Sequence, residues 1–354
     1  MTWGEGDRRM IKTRILPALV VAAMAMPGAA MAAGGKTVVN DTSFSFEGPF
    51  GTYDKHQLQR GFQIYHQICR NCHGLKYLAF RDLGRSDGPG FPEEQIKAIA
   101  AEYEVAAEVG EPYTTADGEK VDKAEAGDLR PGKASDLFPA NTSQGAPDLT
   151  LMAKARAGFH GPSGLMINQL FKGGGGPEYI YSLMTGYVDP PECATGVDMG
   201  IAVYNTAFAP GAYPDECKIF EETVVAILDE DGEPVMGDDG KPKTRIDKKE
   251  IGRKAPGSWI IMGEQLAEGA VEYAMHGGDD HADEGDDHGA KVEAPKATPE
   301  QMAKDVSAFL MWAAEPTMTE RKSAGFRNII MILVLAVLLY YTNKKLWAPI
   351  KRKD

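Results

Sequence analysis

Cys69-Arg70-Asn71-Cys72-His73 decides how the rest of this chain is read. Two cysteines separated by two residues, with a histidine immediately after, form the attachment signature of a c-type haem. Each thiol adds across one porphyrin vinyl group, and the imidazole is then held beside the iron as an axial ligand. A structural zinc site needs a second ligand pair at similar spacing, whereas Cys193 and Cys217 lie far apart. A dithiol redox pair is expected near a βαβ pattern, and none is evident. The motif therefore predicts covalent haem c, attached through Cys69 and Cys72 with His73 on the iron.

Both chain ends agree with that chemistry. Arg8, Arg9, Lys12 and Arg14 precede a short apolar run from Ile15 to Met26, and Ala30-Met31-Ala32 offers a small-x-small cleavage site. This is the pattern of a secretory signal peptide over residues 1–32, and it places the mature chain in an oxidising, extracytoplasmic compartment. Near the other end, the stretch from Phe326 to Tyr341 holds an apolar core shorter than the ~20 residues of a span, which Ala324-Gly325 and Thr342 to Trp347 extend. Tyr340, Tyr341 and Trp347 lie at its end, with Lys344, Lys345, Lys351, Arg352 and Lys353. Apolar core, aromatic belt and basic tail predict a transmembrane anchor over 320–347 and a cytoplasmic tail over 348–354. A buried core helix is the competing reading, and the basic tail disfavours it.

The formal charge of −13 understates the acidity of the exported part. Residues 1–32, 320–342 and 343–354 carry +2, +2 and +4, which leaves −21 on residues 33–319. Such a field repels nucleic acid and steers a basic partner, although a solvated acidic surface accounts for it equally well. Residues 33–319 read as one haem domain with long insertions.

Along that domain, Asp54 can N-cap a helix whose apolar residues Leu58, Phe62, Tyr65 and Ile68 share one face. The helix runs into the haem motif, with Gly74 as its C′ residue. Pro92-Glu93-Glu94 opens a second helix, and residues 110–146 read as a long surface loop. Asp148 to Ala157 and Pro177 to Leu183 read as short helices, with Gly173 to Gly176 as a flexible turn between them. Residues 218–257 read as a surface hairpin or disordered insertion. The acidic, histidine-bearing segment 276–288 reads as a solvated loop in preference to a cation site. Thr298-Pro299-Glu300 starts a last soluble helix, which Pro316 stops. Once two cysteines are assigned to haem, Cys193 and Cys217 remain as an even pair in an oxidising compartment, either disulfide-bonded or free.

The sixth iron ligand decides what the haem does. A thioether sulfur leaves the iron six-coordinate and raises its potential, which suits electron transfer over oxygen or peroxide chemistry. Composition does not choose among 16 methionines. Met302 and Met311 sit at core spacing on a helix, whereas Met262 lies in a loop-like stretch, with Met236 and Met275 as alternatives.

Five stretches together resemble the cytochrome c1 family, the haem subunits of cytochrome bc1 complexes, over most of residues 43–347. They are Ser43 to Gly51; the helix through His73-Gly74-Leu75; Ala146-Pro147-Asp148-Leu149 with Ala153 to Arg156; Tyr179 to Leu183 with Thr185-Gly186-Tyr187; and Gln301 to Val306 with Trp312 to Pro316. The resemblance implies a mainly α, class I cytochrome c-like haem domain with His73 and Met262 as axial ligands. It also implies Arg156 and Tyr179 at the haem propionates, and a Cys193–Cys217 disulfide like that of bacterial members. The family commonly carries prolines after the ligand methionine, where this chain has Gly263-Glu264-Gln265.

The function implied is one-electron transfer from the Rieske iron–sulfur protein, through haem c, to a soluble or tethered cytochrome c. Cytochrome b is implied as a partner within a dimeric quinol:cytochrome c oxidoreductase at the periplasmic face of a bacterial inner membrane. The competing reading is a free-standing, membrane-tethered cytochrome shuttle. A shuttle calls for a long flexible linker, and Pro316 to Ala324 is short. A peroxidase would require five-coordinate iron.

Overall fold

Gly61 and Asp305 mark where two helices cross at backbone contact. The computed structural model describes residues 37–141, 145–156, 173–211, 213–229, 232–237, 240–273 and 294–351. The expected signal peptide, Met275 and segment 276–288 lie outside the described residues. Helix α1 spans Lys55–Gln67, and the Asp54 side chain accepts a 2.9 Å hydrogen bond from the Gln57 amide at its start. Its inner face buries Leu58, Phe62, Ile64 and Tyr65. Helix α5, Pro299–Ala314, begins under Thr298, whose hydroxyl accepts from the Gln301 amide at 3.2 Å. It buries Met302, Val306, Phe309, Leu310 and Trp312.

At the crossing, a Cβ on Gly61 would lie 2.1 Å from the Asp305 carbonyl oxygen and 2.6 Å from Phe309 Cβ. Only glycine lets the helices approach so closely. Beside it the fully buried Asp305 carboxylate accepts from Arg60 Nε at 2.7 Å and Nη2 at 3.2 Å. It accepts also from Gln57 (3.1 Å), Gln301 (2.8 Å) and the Tyr273 hydroxyl (2.9 Å). A buried charge is tolerable only when paired and fully hydrogen-bonded, and five donors from three segments meet that need. Phe309 then packs against Phe62 and Tyr65, with ring centroids at 5.6 and 5.9 Å.

Helix α2, Glu93–Ala101, forms as expected after Pro92 and buries Ile96 and Ile99. The stretch expected to be a long loop, 110–146, instead supplies three of the four strands of two small antiparallel sheets. Strand β1 (Glu104–Ala106) pairs with β4 (Leu129–Pro131), and β2 (Tyr113–Thr114) pairs with β3 (Lys120–Val121). Strands this short and exposed carry no alternating apolar pattern to reveal them. Buried Arg130 ties the lobe together through Glu111 (3.1 Å) and Asp136 (2.6 Å).

Helices α3 (Met152–Ala155) and α4 (Gly176–Thr185) follow. A Cβ on Gly176 would lie 1.6 Å from the Ala153 carbonyl oxygen, so the glycine run allows a close approach and is not simply a flexible turn. Strand β5 (Val203–Asn205) pairs with β8 (Ser258–Ile260), and between them β6 (Lys218–Ala226) and β7 (Thr244–Arg253) form a solvent-exposed hairpin. Helix α6, Met318–Lys351, begins just beyond α5. Its residues 318–348 are long and apolar enough to cross a membrane, and none of its most apolar stretch is buried in the protein. The helical frame is thus accompanied, among the described residues, by four two-stranded sheets.

Gly61→Ala is expected to lower unfolding stability by about 1–3 kcal/mol through overpacking. Gly174, which has open space around its Cα and an ordinary φ, should tolerate alanine. Guanidinium unfolding of the detergent-solubilised chain, followed by circular dichroism, checks the contrast. Equal losses would show that the crossing is not the critical contact.

Candidate haem-attachment site

The haem motif forms where α1 gives out. The helix ends at Gln67, and Cys69–Asn71 tighten into a 3-10 turn, with the Cys72 and His73 amides both donating to the Cys69 carbonyl at 3.1 and 2.9 Å. Helix α1 therefore stops well short of Gly74, which is not its C′ residue. Gly74 is needed instead because a Cβ there would lie 2.7 Å from both the Pro139 carbonyl oxygen and the Asn141 nitrogen. Asn141 Nδ2 donates to the Arg70 and Asn71 carbonyls at 3.0 Å, and the Tyr65 hydroxyl donates to the His73 carbonyl at 3.1 Å. The turn is thus held on both sides.

His73 Nδ1 lies 2.7 Å from the Pro147 carbonyl oxygen. A carbonyl only accepts, so Nδ1 carries the proton and Nε2 keeps a lone pair for a metal. This arrangement fixes tautomer and ring orientation in histidine metal ligands. His66, by contrast, has both ring nitrogens engaged, by the Tyr103 hydroxyl (3.0 Å) and Glu102 (2.9 Å). Burial, followed by the charge of Arg70, holds its pKa below the ordinary histidine value. Burial, with a smaller contribution from Cys72, pushes the Cys69 thiol up to about 12. That is the opposite of the lowered value a redox-active dithiol requires. Cys69 and Cys72 as thiols, with His73 presenting Nε2, match the donor set of a covalent haem c.

The segment that orients His73 also positions Arg156. The Leu149 amide donates to the Gly74 carbonyl (2.9 Å), and the Lys76 amide donates to Asp148 Oδ2 (2.9 Å). Asp148 Oδ1 in turn accepts from the Thr150 amide at 3.0 Å and hydroxyl at 2.6 Å. This rivets residues 147–150 to the strand of chain leaving the motif, and α3 follows directly. Arg156 caps α3 with its side chain exposed, while half-buried Tyr179 lies in the first turn of α4. Burial raises the Tyr179 pKa, and the Arg156 charge opposes that rise. The Arg156 carbonyl lies against Gly176, at the start of the helix that carries Tyr179.

Met262 follows closely in the chain on Trp259, which belongs to a second, smaller core with Ala194, Tyr204, Tyr213 and Cys217. Cys193 and Cys217 are joined there as a disulfide, with Cα atoms 5.3 Å apart. The Tyr204 and Tyr213 hydroxyls donate to the Pro256 and Ala255 carbonyls, each at 2.7 Å, and lock the entry to β8. Gly257, at φ +90°, has no room for a Cβ, which would lie 2.2 Å from the Asn205 carbonyl oxygen. Met262 follows β8, half-buried, and its carbonyl accepts from the Tyr187 hydroxyl at 3.1 Å. Tyr187 lies just past the end of α4, so one helix is linked to Tyr179 at its start and to the Met262 loop at its end. Met236 lies in the exposed hairpin, 56 % accessible.

Pro147 and Tyr187 lie in stretches that carry the family resemblance, but the sequence assigns neither of them a role at the site. Pro147 acts through its carbonyl, which every residue possesses, so no side-chain signature reveals the role. Tyr187 acts on a backbone atom 75 positions away, a distance that local periodicity does not cover.

The comparisons with known proteins agree with this geometry. The model of the Cytochrome C1 family matches residues 44–350. The chain is 44% identical over 345 residues to cytochrome c1 of Cereibacter sphaeroides, covering 97% of this chain and 98% of that one. It is 38% identical over 340 residues to cytochrome c1 of Rhodobacter capsulatus, covering 96% and 98%. It is also 31% identical over 319 residues to the cytochrome b/c1 protein of Bradyrhizobium diazoefficiens, covering 86% of this chain and 35% of that one. With the haem motif, its orienting carbonyl and the C-terminal apolar helix all inside the matched span, the chain belongs to the cytochrome c1 family.

Proposed function

We propose that this chain is the electron-transfer subunit of a cytochrome bc1 complex, taking one electron from a Rieske iron–sulfur protein and passing it to a cytochrome c. The observation that carries the reading is the His73 Nδ1–Pro147 contact, which leaves Nε2 free beside two attachment thiols in a chain of this family. Cys69 and Cys72 would hold haem c covalently, and His73 Nε2 and Met262 Sδ would be its axial ligands. When bound, the haem supplies a one-electron iron couple, whose potential a thioether ligand raises. Arg156 would donate charge-assisted hydrogen bonds to a propionate, with Tyr179 as its neighbour on the same side.

The chain's own work is to position and insulate. Pro147 fixes the imidazole, Tyr187 and the small disulfide-linked core fix the Met262 loop, and the α1–α5 core keeps water away from the packed side of the motif. No proton transfer or substrate binding is assigned to it. In this reading residues 33–319 form a class I cytochrome c-like domain on the periplasmic face, α6 crosses the inner membrane, and residues 348–354 are cytoplasmic. The acidic domain suits a basic cytochrome c. Cytochrome b and a dimeric complex complete the assembly, consistent with the b/c1 name of one relative.

Purification through a C-terminal tag in mild detergent is expected to recover b-type haem and quinol:cytochrome c reductase activity with the chain. Recovery of c-type haem alone, from membranes shown to retain the activity, would favour the tethered shuttle. Met262→Ala is expected to lower the reduction potential and let the ferrous protein bind carbon monoxide, read by potentiometry and difference spectra. An unchanged potential without carbon monoxide binding would remove Met262 from the iron.

A further inference from the structure

The start of α6 is held by a turn that presents one aromatic ring to the outside. In the Phe44–Gly51 turn, the Phe44 amide donates to Glu47 Oε1 at 2.8 Å and the Thr52 amide to the Ser45 carbonyl at 3.2 Å. A Cβ on Gly51 would lie 2.0 Å from the Glu47 carbonyl oxygen. Phe44 and Phe46, each 6% exposed, stack with centroids 5.0 Å apart, and Phe46 packs on Tyr53 at 5.2 Å. The Tyr53 hydroxyl donates toward the Met311 and Glu315 carbonyls at 3.3 and 3.2 Å. From α6, Lys322 Nζ donates to the Phe46 and Gly51 carbonyls at 2.5 and 3.3 Å. This turn is built and braced, and it is fastened to the helix.

Phe50 is the exception within it. The ring is 70% exposed and meets the half-exposed Phe326 of α6 edge-on, with centroids 5.3 Å apart. A water-facing phenyl ring on a braced turn gains nothing from its surroundings, whereas the position of this one along α6 supplies a partner. At about 1.5 Å per residue, Phe326 and Trp347 of α6 stand about 32 Å apart, close to the roughly 30 Å hydrocarbon core of a bilayer. Trp347 marks one interface of a span of that length, so Phe326 and the ring seated on it mark the other.

We propose that Phe50 is a second membrane contact, inserted into the outer-leaflet phospholipid interface beside Phe326, with Lys322 fixing the turn to the helix. The haem domain then rests on the bilayer at two points, α6 and this turn, and its orientation to the membrane is set without a partner subunit. The inference rests on α6 being a membrane span, and the test separates the two.

Phe50→Cys and, on mid-helix, Leu335→Cys are each introduced into the full-length haem-loaded chain and labelled with bimane, the unmodified chain giving the labelling background. Haem absorbance reports an intact fold. The protein is placed in phosphatidylcholine nanodiscs with and without shallow dibrominated phosphatidylcholine, and aqueous iodide is titrated separately. Loss of fluorescence to the brominated lipid at both positions, with protection from iodide, supports the proposal. Lipid quenching at position 335 with iodide quenching at position 50 overturns it and leaves the span intact. Protection from both quenchers at position 50 also overturns it, because the ring is then covered by protein. Absence of lipid quenching at both positions refutes the span, and the proposal with it.

Discussion

The contact of Gly61 with the Asp305 backbone, braced by the carboxylate network beside it, is the constraint on which the rest of the structure depends. Helix α1 runs from this crossing into Cys69, and α5 runs from it into the start of α6. The CxxCH motif and the C-terminal apolar helix are therefore extensions of two helices pinned to each other. Asp305 contributes more than packing, since its donors come from α1, from α5 and from Tyr273. Leaving that buried carboxylate without its partners would cost several kcal/mol.

The donor groups are organised through a relay of backbone contacts. His73 is aimed by Pro147, the Pro147 segment is riveted to the motif by Asp148 and Leu149, and α3 then delivers Arg156 next to α4. Helix α4 continues to Tyr187, which holds the Met262 carbonyl. Pieces far apart in sequence thus share one scaffold, and the small disulfide-linked core stiffens its far end. In the proposed function such support would keep His73 and Met262 in place in both oxidation states.

Much of this was legible because it rests on local chemistry. The CxxCH motif is a fixed spacing, the starts of α1 and α5 are written in Asp54 and in Thr298-Pro299, and α6 carries an unbroken apolar run from Ile329 to Tyr341. Other features depended on tertiary partners. Gly74 looked like a helix terminator and proved to be a point of close approach to Pro139 and Asn141. The Gly173 to Gly176 run looked like slack and lets α4 press on the Ala153 carbonyl. Strands β1 to β4 were hidden because two- and three-residue pairings, stapled by Arg130, need no apolar alternation. The orienting carbonyl of Pro147 was hidden because backbone atoms carry no sequence signature.

In the proposed function His73 and a thioether sulfur would hold the iron of a haem that exchanges electrons. Near-infrared magnetic circular dichroism of the oxidised, membrane-extracted protein tests it most directly, because a sulfur-to-iron charge-transfer band there identifies histidine–methionine ligation. That band is expected, in a wholly low-spin ferric protein. A high-spin spectrum, or a low-spin one with the bis-histidine signature, would contradict it.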